Sequence, residues 1–269
     1  MTAAASQAQP TAGTDLDALL CVARAAARLA GDMLREHFAA PARGVRTKSG
    51  PRDLVSAADI AAENAIRALL ATDRPGDGVL GEEHGETPST TGLRWVVDPL
   101  DGTVNFLRRI PHWSVSVACE DGDGALVGVV RDPLRGECFS AARGRGADLN
   151  GEPMRGSDAT DLSLATVGGE FSARSEAQAE AVRRLVSRAG HVRNYGSAAL
   201  DLAWGAAGRF DAVYHGRFPA PWDIAAGGLL CQEAGLRGER VNVDGSSEPR
   251  MLVAPPALME PLLDALAHG

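Results

Sequence analysis

Residues 15–38 repeat Ala and Leu at three- and four-residue spacing behind an acidic cap, a pattern that predicts an amphipathic helix. Basic and Gly-bearing residues follow as a loop around Lys48, then a second helix over 57–72 with Ser56 as its cap. GVLGEE predicts a short strand ending on Glu82 and Glu83, followed by a Gly/Thr-rich loop over 85–92 and a strand running into Asp98. From Trp113 to Ala142 three apolar runs are separated by GDG and PLRG, the signature of an antiparallel meander. After residue 150 the pattern alternates: strands at 164–168, 191–194, 211–215 and 251–254, and helices at 174–189, 197–208, 223–234 and 256–267. Antiparallel β in one half and alternating α and β in the other predict a layered α/β or α+β architecture. The expected organisation is a short disordered tail over 1–14 and two subdomains, 15–150 and 151–269, sharing a cleft.

The chain has 269 residues, 45% hydrophobic and 23% charged, which suits a well-packed globular protein with a sizeable core. Its net charge of −8, with no Lys/Arg run, gives no electrostatic support to a nucleic-acid polymer or an anionic membrane as partner. Cys21, Cys119, Cys138 and Cys231 show no metal spacing and read as small buried hydrophobes in a reducing compartment. The first residues lack the charged and apolar regions of a signal peptide, and no apolar run reaches membrane-spanning length; the expectation is a cytoplasmic protein. The histidines show no ligand spacing and read mostly as surface or loop residues.

The most informative stretch is Trp95-Val96-Val97-Asp98-Pro99-Leu100-Asp101-Gly102-Thr103. Pro99 has no N–H to donate and is expected to end the strand, delivering Asp98 and Asp101 together at its exit. Two carboxylates that close repel unless a cation lies between them, and hard oxygen donors suit Mg²⁺. Gly102 and Thr103 follow at a predicted helix start, where backbone N–H groups can seat an anion. Carboxylates, a cation and a phosphate seat together predict metal-dependent phosphoryl transfer.

Four ordered blocks carry a family resemblance: Lys48 with Asp53-Leu54-Val55-Ser56-Ala57-Ala58-Asp59; Gly81-Glu82-Glu83; Trp95 through Asn105; and Trp222-Asp223-Ile224-Ala225-Ala226-Gly227. On these the chain resembles the inositol monophosphatase-like, Mg²⁺-dependent, lithium-sensitive phosphatases. The resemblance implies the αβαβα sandwich shared with fructose-1,6-bisphosphatase, a homodimer, and a small phosphorylated metabolite as substrate. It implies that Glu82, Asp98 and the Leu100 carbonyl hold one metal ion and that Asp98, Asp101 and Asp223 hold a second, with Glu82 assisting a loosely held third. Thr103, hydrogen-bonded to Asp59, would orient the attacking water, and the N–H groups of Gly102 and Thr103 would bind phosphate. Lys48 and Asp53 match an entrance loop that adds phosphate or metal contacts in some members.

For the substrate, the resemblance implies contacts from Asp101, Gly196, Ser197, Ala198, His215 and Arg217. Inositol-specific members carry a Glu where this chain reads His215-Gly216-Arg217, and no acid lies between Asp211 and Asp223. Neither His nor Gly can replace a carboxylate that accepts two hydroxyl hydrogen bonds. The Arg217-Phe218 pair is similar to members acting on adenosine bisphosphate, whereas Gly196-Ser197-Ala198 is similar to the inositol branch. Histidinol phosphate is a third candidate. A catalytically silent member would have lost a metal acid or Thr103, and none is lost; a metal-dependent nuclease would need a basic groove.

Overall fold

The structure is a computed structural model that describes residues 14–39, 46–47, 54–55, 57–171, 175–242 and 249–267. Lys48, Asp53 and the Ser56 cap therefore lie outside the described residues.

The elements run α1 (Leu16–Ala39), β1 (Arg46–Thr47), β2 (Leu54–Val55), α2 (Ala57–Asp73), β3 (Gly78–Gly81), β4 (Gly85–Thr87), β5 (Arg94–Asp101), α3 (Thr103–Leu107) and β6 (Ser114–Asp121). They continue with β7 (Gly124–Asp132), β8 (Glu137–Ala142), β9 (Ala147–Leu149), β10 (Glu152–Met154), β11 (Thr166–Glu170), α4 (Glu176–Arg188), β12 (His191–Arg193) and α5 (Ala198–Ala206). The last are β13 (Ala212–His215), α6 (Pro221–Glu233), β14 (Arg237–Val241), β15 (Arg250–Ala254) and α7 (Pro256–Ala267).

Two large sheets organise these elements, one ordered β10-β9-β8-β7-β6-β5-β3-β4 and one ordered β12-β11-β13-β15-β14, while β1 and β2 pair as a separate two-stranded antiparallel sheet within the expected Lys48 loop. Three apolar cores separate five layers. The first lies between α1–α2 and the larger sheet, where Leu19, Ala23, Ala27, Ala30 and Ile66 meet Trp95, Val97 and Val117. The second joins the sheets through α5 and α6, with Val96, Ala118 and Val130 packed against Leu202, Ala203, Leu230 and Val213. The third lies under α4 and α7. Alternation along β5 and β6 explains the stack: Val97 faces the first core and Val96 the second, so each strand serves two layers. The fold is therefore the expected αβαβα sandwich.

The meander β6-β7-β8 is antiparallel as expected. The second sheet is mixed, because β11 runs parallel to both β12 and β13 while β15 is antiparallel to β13. Among the departures from the sequence expectation, three are local. The 85–92 loop contains β4, an exposed edge strand held to β3, whose Gly-Glu-Thr has no apolar alternation to announce it. Helix α6 starts at Pro221, two residues early, because Pro suits the first helical position. Cys21 is exposed and Cys138 half-buried, so only Cys119 and Cys231 are the buried hydrophobes expected of all four.

The strand through Trp95 does not end at Asp98. It runs on to Asp101, and Pro99 is accommodated at an irregularity where Asp98 pairs with Ser116 but Asp101 pairs with Ser114. Three steps on β5 thus oppose two on β6, which defines a one-residue bulge. In a regular strand, residues three apart point to opposite faces. The extra residue turns Asp98 and Asp101 to the same side.

Candidate active site

Asp98, Asp101 and Asp223 converge: one carboxylate oxygen from each lies within 4.8 Å of the others. The bulge in β5 supplies the first two, and the third residue of α6 supplies the last. Asp98 closes the turn over Pro99 by accepting the Leu100 N–H at 2.9 Å. Asp101 is gripped by the start of α5, accepting from Ala198 N at 3.1 Å, Ala199 N at 2.8 Å and the Ser197 hydroxyl. Asp223 accepts the Ala220 N–H at 2.9 Å, a return bond that fixes it in the first turn of α6.

Burial raises all three carboxyls, and mutual repulsion adds to it. Asp98 is pushed well above the usual carboxylate range, first by burial and then by Glu82, Asp101 and Asp223. Asp101 is raised by burial against the pull of its Ser197, Ala199 and Ala198 bonds. Asp223 is pushed up to about 7 by burial and by Asp101. Glu82, just past β3, joins electrostatically, since its charge acts on all three.

Thr103 opens α3 directly beside this cluster. Its hydroxyl lies 3.2 Å from Asp59 Oδ1 and 3.2 Å from the Leu100 carbonyl. Asp59 sits on α2 and is buried, not on a solvated helix face. Gly102 has φ +96°, and a Cβ there would stand 3.2 Å from the His112 carbonyl and 3.3 Å from that of Gly196. Glycine is therefore required where this turn passes under the α5 loop.

Sequence reasoning missed the residue that holds the two halves of the site together. The buried Asn105 amide donates to the carbonyls of His112 at 2.7 Å and Tyr195 at 2.6 Å, pinning the Gly196-Ser197 turn over α3. Its place inside the Trp95–Asn105 block was the available signal. Asp201 was missed too; it is buried near Asp101 and raised well above the usual range by burial and then by that neighbour's charge.

Of the residues expected to contact substrate, Ser197 and Ala198 are bonded to Asp101, and Gly196 forms the left-handed turn before them. His215 is buried on β13, not open at a surface. Its Nε2 lies 3.6 Å from Asp201 Oδ2, and burial followed by the Arg217 charge lowers its pKa to about 4. Arg217 is exposed, and its charge is felt at Asp223. His112, expected at the surface, is also buried, against Tyr195 and Trp204.

Three converging, mutually repelling carboxylates with hard oxygen donors fit a divalent cation such as Mg²⁺, and among the described residues no softer ligand joins them in that cluster. Fold and site thus define a five-layered α/β protein with a largely buried polycarboxylate cradle. A sequence profile of the inositol monophosphatase family matches residues 15–267. The chain belongs to that family. It is 42% identical over 245 residues to an inositol-1-monophosphatase of Rhizobium meliloti, covering 86% of this chain and 88% of that one. It is 41% identical over 222 residues to the Nus factor SuhB of Escherichia coli K12, covering 81% and 83%. The crystal structure of the extragenic suppressor protein suhB from Bartonella henselae superposes with a TM-score of 0.87 at 33% identity, covering 94% of this chain and 99% of that one.

Proposed function

We propose that the protein is a Mg²⁺-dependent phosphomonoesterase acting on a small polyol, sugar or nucleoside phosphate. The observation that carries this reading is the convergence of Asp98 and Asp101, both buried, with the half-buried Asp223 in one cluster. Family membership supports it. Two or three ions bound here would neutralise phosphate charge and lower the pKa of water enough for hydroxide to form near neutral pH.

Asp98, Glu82 and the Leu100 carbonyl would hold one ion, and Asp98, Asp101 and Asp223 would hold a second. Thr103 donates its hydroxyl proton to Asp59 and accepts a hydrogen bond from the attacking water, leaving a water lone pair directed at phosphorus. The N–H groups of Gly102 and Thr103 seat the phosphate oxygens. Residues 15–150 carry the β5 acids and residues 151–269 carry Asp223, so the substrate binds where these two parts meet. The protein works as a cytoplasmic homodimer and is inhibited by Li⁺.

His215 in place of a carboxylate disfavours a cyclitol, and the Arg217 charge near Asp223 favours a substrate with a second anionic group, such as a nucleoside bisphosphate. Histidinol phosphate remains in the same test. Phosphate release is measured on inositol 1-phosphate, adenosine bisphosphate, nucleoside 5′-monophosphates, histidinol phosphate and fructose 1,6-bisphosphate, with Mg²⁺ and with EDTA. One Mg²⁺-dependent winner is expected, and the Asp98→Asn and Asp223→Asn variants should lose it. Wild-type turnover in both variants with excess Mg²⁺ would overturn the metal assignment.

A second reading is that the chain serves as a binding factor with no need of catalysis, and relatives named Nus factor favour it. Silence on the whole panel with cation binding intact would replace the first reading with the second.

A further inference from the structure

We propose that Glu63 is a positioning residue that fixes Glu82 at the acidic cluster by holding the backbone of the turn that follows it. The inference rests on the cation-binding reading above.

Helix α2 carries Asp59, Glu63 and Arg67 at four-residue intervals, so the three share one face. Asp59 meets Thr103 on one side of the cluster. One turn on, the Glu63 carboxylate is fully buried, a costly place for a charge unless every lone pair is used. Its Oε2 accepts Glu83 N at 2.7 Å. Its Oε1 accepts His84 N at 3.2 Å and Arg67 Nε at 2.7 Å, and lies 3.2 Å from His84 Nδ1. Arg67 in turn donates to the Gly85 carbonyl at 2.5 Å. Three successive residues after Glu82 are therefore tied to α2 by their main chain.

The residue before Glu82 is fitted to the same carboxylate. A Cβ on Gly81 would collide with the Glu63 side chain, so only glycine lets β3 approach this closely. Glu82 itself donates its N–H to the Val97 carbonyl of β5 at 3.3 Å. Its backbone is thus pinned between the strand that delivers Asp98 and the helix that delivers Asp59. Two backbone N–H groups need an acceptor here, and an apolar residue at position 63 would leave both unsatisfied. The Glu82 charge reaches Asp98, Asp101 and Asp223, so a shift of this turn changes the donor set as a whole.

The test is a Mn²⁺ titration of the full chain followed by electron paramagnetic resonance, a readout independent of turnover. Glu63→Gln keeps the shape but replaces one accepting oxygen with a donor that faces other donors. Its Mn²⁺ dissociation constant is expected to rise about tenfold or more, the usual effect of losing a partner that orients a metal ligand. In steady-state kinetics the Mg²⁺ concentration for half-maximal rate should rise more than the rate at saturating Mg²⁺ falls. His84→Ala removes a ring bond but keeps both backbone donors, so its effect on Mn²⁺ should stay under about threefold, within the context dependence of a single contact. Ile66→Val, a core truncation on the same helix with no contact to the 82–85 turn among those described, should leave Mn²⁺ binding unchanged. Were Glu63→Gln not to fold, Arg67→Gln takes its place, and a weakening in the same direction is expected.

Unchanged Mn²⁺ affinity in Glu63→Gln, or an equal loss in Ile66→Val, would overturn the positioning role while leaving the cation site intact. Absence of Mn²⁺ binding by the wild-type chain would instead overturn the cation reading, and this inference with it.

Discussion

The acidic cluster makes stability depend on pH and on divalent cations together, and the size of the effect follows from Asp223. Its folded carboxyl titrates near 7, against 3.8 for an unperturbed Asp. A carboxyl raised in the folded state keeps its proton after the unfolded chain has released it. Stability contributed by that proton is complete below the unfolded value and is lost as pH rises through 7. At ~1.4 kcal/mol per pH unit this one group removes on the order of 4 kcal/mol between pH 4 and pH 8 in the cation-free protein. Asp98, raised in the same direction, adds to the loss. A Mg²⁺ ion held between the carboxylates would take the place of the proton, so it should restore stability where the proton has gone. About half of the Asp223 loss, ~2 kcal/mol, falls between pH 5.5 and 7, and for a chain of this size it corresponds to a Tm change on the order of 5 °C. The assay is calorimetric unfolding from pH 5.5 to 8.5 at constant ionic strength, with Mg²⁺ or with EDTA. The Mg²⁺ increment should be small at pH 5.5, grow through pH 7 and level off above it. Mg²⁺ addition at pH 7 should release protons, and at pH 8.5 fewer. An increment independent of pH, or none at pH 8, would refute the reasoning.

Three further outcomes are expected. Asp98→Asn removes one of the repelling charges, so the cation-free protein should unfold at a higher temperature than wild type at pH 8 while phosphate release falls by about 10³-fold, several kcal/mol of transition-state stabilisation. Thr103→Val deletes the hydroxyl that reaches Asp59 and should lower kcat about 100-fold with little change in the Mg²⁺ requirement, as steady-state kinetics will read. Gly102→Ala places a Cβ at φ +96° against the His112 and Gly196 carbonyls and should destabilise by about 1–3 kcal/mol in urea unfolding, the range for a strained backbone position.

The helices were legible because their apolar faces keep a constant period. The 15–38 and 256–267 patterns match α1 and α7 to within a residue at each end. The central meander was legible because its turns carry Gly and Pro between apolar runs. Strand β14 was not, since Arg-Gly-Glu-Arg-Val at the edge of the five-stranded sheet is mostly polar and, among the described strands, pairs through its backbone with β15 only. The β9–β10 hairpin was missed for a similar reason, being two strands of three residues each.

At the site, the three acids that cluster, Asp98, Asp101 and Asp223, could be read, and how they are held could not. Asp98 and Asp101 were paired in sequence by their nearness, yet nearness alone would place them on opposite faces of β5. The bulge at Pro99 and Leu100 brings them together, and it is visible only in the pairing with β6. Glu63 and Asn105 act on backbone N–H and carbonyl groups, which every residue possesses, so no spacing marks their partners. The one trace of Glu63 in the chain is an acid four residues after Asp59, on the face that α2 turns to the protein. A buried acid on such a face is paid for only by donors it satisfies, and here those donors belong to the turn that carries Glu82. The clustered acids were therefore legible as residue types, whereas the geometry that brings them together resides in hydrogen bonds to backbone groups made from α2, α3 and α5.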